Sequence, residues 1–256
     1  MSFLKVNLIK CLSDNYSYII FNPNSKKAII IDPAEEKPLT DVISKLNLDL
    51  KYILITHHHH DHVGGNLELK NKFNCKIVGF ANDSKRIPGI DIMIKDKEIF
   101  NFEGEEIELN FSPGHTSGHV FFYFRKNKYA FVGDVVFSLG CGRIFEGTVS
   151  DMYQSVLKVK SLPDEVKIFC GHEYTLGNLK FCLAFDENND HLKKRATEIK
   201  NLRNKGLPTV PSTILNEKQT NIFFRCNDKA ISRKLSLEGQ PPEKVFKKLR
   251  ELKDNF

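Results

Sequence analysis

No apolar run in this 256-residue chain approaches the roughly 20 residues that a membrane-spanning helix requires. That excludes a helical integral membrane protein. The opening Met1-Ser2-Phe3-Leu4-Lys5-Val6-Asn7 lacks the charged start, long apolar stretch and small-residue cleavage site of a secretion signal, so the expected location is the cytoplasm. The cysteines, at 11, 75, 141, 170, 182 and 226, include no Cys-x-x-Cys pair. They read as isolated, mostly buried thiols in a reducing compartment rather than a disulfide framework. Internal repeats and low-complexity tracts are also missing.

What remains is an ordinary globular composition, 41% hydrophobic and 27% charged, long enough for one large core with a smaller satellite domain. Its charge is uneven. Residues 1–172 hold 21 Lys+Arg and 21 Asp+Glu, whereas residues 173–256 hold 17 against 11, so the whole +6 lies in the last third. A basic segment attracts nucleic acid, membrane or small anions, or is simply a solvated helix surface. Charge narrows the partner class without choosing it.

The first two-thirds alternates short strands, turns and a few helices. Strands are expected at Tyr16–Phe21 and Lys27–Asp32 around the turn residues 22–25. Leu39, Val42, Ile43 and Leu46 share a helical face within Pro38–Leu46. Tyr52–Ile55 and Lys76–Phe80 read as strands with a helix, Asn66–Phe73, between them. Four more strands are expected at Glu98–Phe102, Glu106–Phe111, Val120–Arg125 and Tyr129–Val132. After 172 the texture turns helical, at Leu176–Phe185, His191–Lys205 and Pro242–Lys253. The expected domain boundary is therefore near 172, between 1–172 and a helical 173–256.

The central signal is Thr56-His57-His58-His59-His60-Asp61-His62-Val63-Gly64-Gly65, which follows a strand and precedes a helix. Alternate residues of an extended loop can project His57, His59 and Asp61 to one side, with His62 turning in at the helix start. Three imidazoles and a carboxylate suit zinc, iron or manganese, not calcium. A solvated polyhistidine tract would have no reason to follow Ile53-Leu54-Ile55 or to carry Asp61. Three further strand ends offer a ligand beside glycine: Gly114-His115, Gly133-Asp134 and Gly171-His172. One such end is weak, since a lone His at a strand end more often bonds to its neighbours. Four fit a sheet scaffold collecting ligands along one edge.

The His-x-His-x-Asp-His segment with the later His, Asp and His resembles the metallo-β-lactamase superfamily, whose α/β fold is an αββα sandwich. The closer resemblance is to glyoxalase II, the hydroxyacylglutathione hydrolases. It extends to residues 141–148 (CGRIFEGT), 171–175 (GHEYT), 178–181 (NLKF) and 249–254 (LRELKD). By that resemblance His57, His59 and His115 hold one metal, Asp61, His62 and His172 a second, and Asp134 bridges both. His58 and His60 are non-ligands, His119 supports the site and His191 is solvated. Glutathione contacts are implied at Arg143, Phe145, Tyr174, Arg225 and Lys229. Arg143 stands where Lys is common, and Phe145 stands where some relatives have Tyr. Residues 221–225 keep the family's N-x-F-x-R pattern without its Pro.

The chemistry fits. Two divalent metals, zinc first, can share a hydroxide and polarise the carbonyl it attacks. Asp61 and Asp134 would orient that hydroxide while ligating. An amide nitrogen must be protonated to leave, whereas a thiol of pKa about 8.5 leaves as thiolate. The implied function is thioester hydrolysis of S-(2-hydroxyacyl)glutathione, S-D-lactoylglutathione first, as in methylglyoxal detoxification. The implied enzyme is a cytoplasmic monomer with no nucleic-acid or membrane partner. The rivals are a mononuclear-iron persulfide dioxygenase, another hydrolase of the superfamily, and a nucleic-acid-processing member. The last is disfavoured by the absence of a basic stretch interleaved with aromatics. A pure binding module is disfavoured by the seven intact ligand candidates.

Overall fold

The structure, a computed structural model, describes residues 4–256. The chain forms two compact units, residues 4–111 with Gly118–Gly133, and Ser112–Ser117 with Asp134–Phe256. This division follows compactness and differs from a cut at 172.

The first unit opens with β1 (Lys5–Cys11), β2 (Asn15–Phe21), β3 (Lys27–Ile31), α1 (Glu36–Leu46) and β4 (Asp49–Leu54). After the histidine run come α2 (His60–Val63), α3 (Asn66–Phe73), β5 (Lys76–Phe80) and β6 (Ile90–Ile94). Strands β1 to β6 lie side by side in sequence order. β1, β2 and β3 pair antiparallel, and β3 to β6 pair parallel. Parallel pairing follows from the helical crossovers α1 and α3, which need a covered face. Every residue of β2 is buried, which accounts for its apolar run. Ile19, Ile30, Ile53 and Ile77 pack with Leu39 and Ile43 of α1 and Leu69 of α3.

A second sheet in this unit is an antiparallel meander of β7 (Ile99–Phe102), β8 (Glu105–Phe111), β9 (Val120–Phe124) and β10 (Tyr129–Gly133). The rings of Tyr18 and Phe131 meet edge-on at 5.3 Å, and those of Tyr52 and Phe100 at 4.8 Å. The two sheets therefore pack face to face.

The second unit holds the hairpin β11 (Val136–Phe137) and β12 (Gly140–Cys141), then α4 (Val149–Lys160) and β13 (Lys167–Cys170). It continues with α5 (Thr175–Phe185), α6 (Asp190–Asn204), β14 (Ser212–Thr213), α7 (Ile214–Thr220), α8 (Lys229–Lys234) and α9 (Pro242–Asp254). Its apolar centre stacks Phe181, Phe223 and Phe246, all nearly without exposure. Beside it sits the buried pair Arg195 and Glu217, enclosed by Ser138, Ser212 and Thr220. The Glu217 Oε2 accepts the Leu139 N–H at 2.9 Å, fixing the left-handed turn residue of the hairpin.

The sequence reading gives no expectation for eight elements: β1, β6, the two-residue strands β11, β12 and β14, and the helices α4, α7 and α8. The α4 signal was present. Thr148 and Asp151 form a reciprocal capping box, and Met152, Val156 and Val159 bury one face. All six cysteines are free and buried. Burial pushes the thiols of Cys75 and Cys141 up to about 11, and those of Cys170 and Cys182 up to about 12. Among the described residues no helix is long and apolar enough to cross a membrane.

Candidate metal centre

In the first unit the ligand candidates leave the C-terminal end of β4. His57 is wholly buried, and its Nε2 faces His59 Nδ1 at 3.1 Å. Two nitrogens each ~2.1 Å from a tetrahedral zinc would stand about 3.4 Å apart, so this spacing fits two ligands of one cation. Two residues on, His62 Nε2 faces Asp61 Oδ2 at 3.5 Å. The extended loop thus sorts its donors into two pairs.

The opposite nitrogens are held by acceptors. The Asp32 carboxylate takes the Thr56 backbone N–H at 2.8 Å, the Thr56 hydroxyl at 2.6 Å and His62 Nδ1 at 3.0 Å. A carboxylate only accepts, so the Thr56 proton is committed there. The Thr56 oxygen can then accept from His57 Nδ1 at 3.0 Å. Both imidazoles are therefore N–H at Nδ1 and present a lone pair at Nε2, the form a metal needs. His119 is buried and stacks on the His57 ring at 4.7 Å. Asp32, His57 and His62 also lie close enough to form a potential cation cluster among themselves. The bonds to Asp32 explain that proximity as support for the histidines.

His58 and His60 do not join these pairs. His58 turns to Asp83 at 3.5 Å, and His60 is exposed. His191 is exposed on α6.

Gly133, at φ +47°, ends β10 where an added Cβ would stand 2.5 Å from the Thr56 hydroxyl. Only glycine accepts both that conformation and that approach. The next residue, Asp134, belongs to the second unit. Its Oδ2 lies 3.5 Å from His115 Nε2 and 3.3 Å from His172 Nε2. One carboxylate oxygen thus stands within 3.5 Å of two imidazole nitrogens. His115 Nδ1 meets the Arg143 carbonyl at 2.9 Å, which again turns the lone pair to Nε2. Gly142 allows the loop to close, since a Cβ there would stand 2.0 Å from the Asp134 carbonyl oxygen. The donor set in each unit fits divalent zinc, iron or manganese.

The candidate substrate residues differ in their surroundings. Phe145 is 61% exposed with its ring edge-on to His115 at 5.2 Å. Tyr174 is 41% exposed and stacks on His172 at 4.7 Å, nearly parallel. Arg143 is exposed, 3.6 Å from Asp254. Lys229 is exposed at the start of α8. Arg225 is mostly buried and paired with both Asp186 and Asp228. Its charge is already balanced inside the unit.

Sequence reasoning overlooked two cations on α9. Arg250 is 5% exposed and donates to the Cys141 carbonyl at 2.8 Å and to Asp254 at 2.9 Å. Burial lowers the pKa of the Lys253 ammonium, and the positive charges of Arg250 and Arg143 add to that lowering. Arg143 and Arg250 thus meet on one carboxylate, Asp254, while the Lys253 ammonium reaches the Gly177 carbonyl at 3.4 Å. The closing LRELKD segment carried the resemblance, yet helix α9 was needed to see what its charges face.

Residues 12–172 match the family described as Metallo-beta-lactamase superfamily, and residues 173–256 match Hydroxyacylglutathione hydrolase C-terminus. A hydroxyacylglutathione hydrolase from Pelagibacter ubique is 47% identical over 99% of this chain and 100% of its own length. The chain belongs to the hydroxyacylglutathione hydrolase family. A second member, from Rhizobium etli, is 42% identical over 99% of both chains. The crystal structure of ETHE1 from Myxococcus xanthus matches with a TM-score of 0.66 and 21% identity, over 95% of this chain and 94% of that one. That likeness speaks to fold. The two sheets with their helices are the metallo-β-lactamase fold, followed by the family's C-terminal helical region.

Proposed function

We propose that this chain hydrolyses S-(2-hydroxyacyl)glutathione, S-D-lactoylglutathione first, to glutathione and a 2-hydroxy acid. The observation that carries the reading is Asp134 Oδ2 set between the ring nitrogens of His115 and His172. In this reading His57, His59 and His115 would hold one metal, and Asp61, His62 and His172 a second. Asp134 would touch both. Residues 1–172 carry the chemistry and 173–256 the substrate contacts, in a cytoplasmic monomer with no nucleic-acid or membrane partner.

Two divalent ions, zinc before iron or manganese, would supply a Lewis acid for the thioester carbonyl and a nucleophile drawn from water near neutral pH. The protein's part is orientation. Asp61 and Asp134 accept hydrogen bonds from the attacking water and aim it, while Asp32, Thr56 and the Arg143 carbonyl fix the imidazole tautomers. Glutathione leaves as thiolate, its thiol pKa being about 8.5, so no side chain has to deliver a proton to it.

Recognition falls to the cations around Asp254. Arg143, Arg250 and Lys253 outnumber that carboxylate and suit an anion carrying two carboxylates. Tyr174 and Phe145 line the approach to His172 and His115. Arg225, tied to two aspartates, is a brace for the helices in this reading, and Lys229 a peripheral charge. The deciding experiment is thiol release from S-D-lactoylglutathione by metal-analysed protein. Turnover with close to two metals per chain is expected. A fully loaded protein that spares this thioester would sink the assignment.

A further inference from the structure

Asn15 opens β2 from the turn after β1, 46 residues from the ligand loop, and is 5% exposed. Its side-chain nitrogen donates to the Asp61 carbonyl oxygen at 3.1 Å and to Asp61 Oδ2 at 2.8 Å. Both partners are pure acceptors, so the orientation of the amide is fixed: its NH2, with two protons for two acceptors, must face Asp61. Oδ2 is also the oxygen that faces His62 Nε2. We infer that Asn15 is the positioning residue for Asp61, clamping its backbone and its ligating oxygen together so that the second metal finds a preformed carboxylate. This inference rests on the two-metal reading above.

The need for a clamp follows from where Asp61 sits. Its side chain is 37% exposed, on a helix of four residues followed by two glycines. So short a helix has few internal hydrogen bonds to hold its shape, and the exposed carboxylate could rotate into solvent. Burial holds His57 and His62 in place, whereas the Asp61 side chain is partly open to solvent. A neutral amide suits the task. Lys or Arg at 15 would hold the carboxylate as well, but would place a positive charge beside two dications.

The test is calorimetric titration of zinc into chelator-stripped wild type, Asn15→Ala and Asn15→Asp, with the melting of each apo-protein measured alongside. Asn15→Asp keeps the shape and loses both N–H donors, placing a carboxylate against Asp61. Both variants should bind the second zinc about ten- to a hundredfold more weakly, the usual cost of removing an outer partner, with the first zinc unchanged. In the loaded enzymes kcat should fall while KM stays near wild type. A merely structural Asn15 would instead weaken both zinc steps together with apo-protein melting, and that result overturns the inference. So does a second zinc step that neither variant alters. A wild type that binds one zinc overturns the two-metal reading and this inference with it, an outcome distinct from the other two.

Discussion

His59 and His60 are neighbours with different surroundings because an extended chain sends alternate side chains to opposite sides. His59 Nδ1 meets His57 Nε2, whereas His60 lies exposed at the start of α2. Replacing His59 by Ala should therefore remove one metal and most turnover, exceeding the ~10- to 100-fold cost typical of an outer partner. His60→Ala should keep both within about twofold, since exposed positions away from special contacts tolerate truncation. Elemental analysis beside thiol-release rates reads both effects, and equal losses would show the alternation to be misassigned. The ligand candidates were legible because each stands at a strand end in a recognisable local pattern. Asp32 and Asn15 were not. They act across 30 and 46 residues, and nothing local marks an aspartate as the acceptor for a distant imidazole.

At the scale of elements, Arg225 gains partners that sequence reasoning does not supply. The resemblance implies a glutathione contact there. Folded, it joins Asp186, at the end of α5, to Asp228, the cap of α8. Removing one partner of a buried pair leaves uncompensated charge and costs about 3–5 kcal/mol. Arg225→Ala should thus lower the urea midpoint of the protein strongly. An unchanged midpoint with a raised KM would return Arg225 to the substrate site. The pair also sets a pH dependence. Burial raises the Asp228 carboxyl, but Arg225 and the backbone N–H groups of α8 outweigh it and leave a net lowering. A lowered carboxyl stabilises the fold above its unfolded pKa of about 3.9 and loses that contribution as pH falls through the folded value. The acid limb of the wild-type stability curve should therefore flatten in Arg225→Ala. A smaller effect belongs to α4, whose start is held by the Thr148–Asp151 capping box. Thr148→Ala should cost about 1 kcal/mol by denaturant unfolding, without moving KM. That helix was readable from its Thr-x-x-Asp start and its buried spacing. α7 and α8 were not, being too short for periodicity to speak.

The charge of the whole molecule sets the last expectation. All of the +6 lies beyond residue 172; Arg250 of α9 meets Arg143 on Asp254, and Lys253 of the same helix feels the charge of both. Arg143 is 62% exposed along its side chain and stands 3.6 Å from Asp254. Such a surface pair contributes about 0–1 kcal/mol to stability, so Arg143→Ala should unfold like wild type. Its effect should fall on substrate. A charge-assisted bond to a glutathione carboxylate is worth roughly 1.5–3 kcal/mol, which at about 1.4 kcal/mol per decade raises KM some ten- to a hundredfold. The glutathione carboxylates are remote from the scissile carbonyl, so the bond should serve ground and transition states alike and spare kcat. Lys253→Ala should behave the same way. Arg250→Ala is a poorer probe, because it also strips the Cys141 carbonyl of its buried donor. Part of the attraction acts through solvent, so salt should raise the wild-type KM more steeply than that of Arg143→Ala. A simple acyl thioester without the peptide carboxylates should be a poor substrate, and one on which both replacements matter little. If wild type prefers the simple thioester, or if Arg143→Ala and Lys253→Ala both leave KM for the glutathione ester unmoved, the cations around Asp254 serve another anion. The metal ligands would keep their roles, and the substrate would have to be sought again.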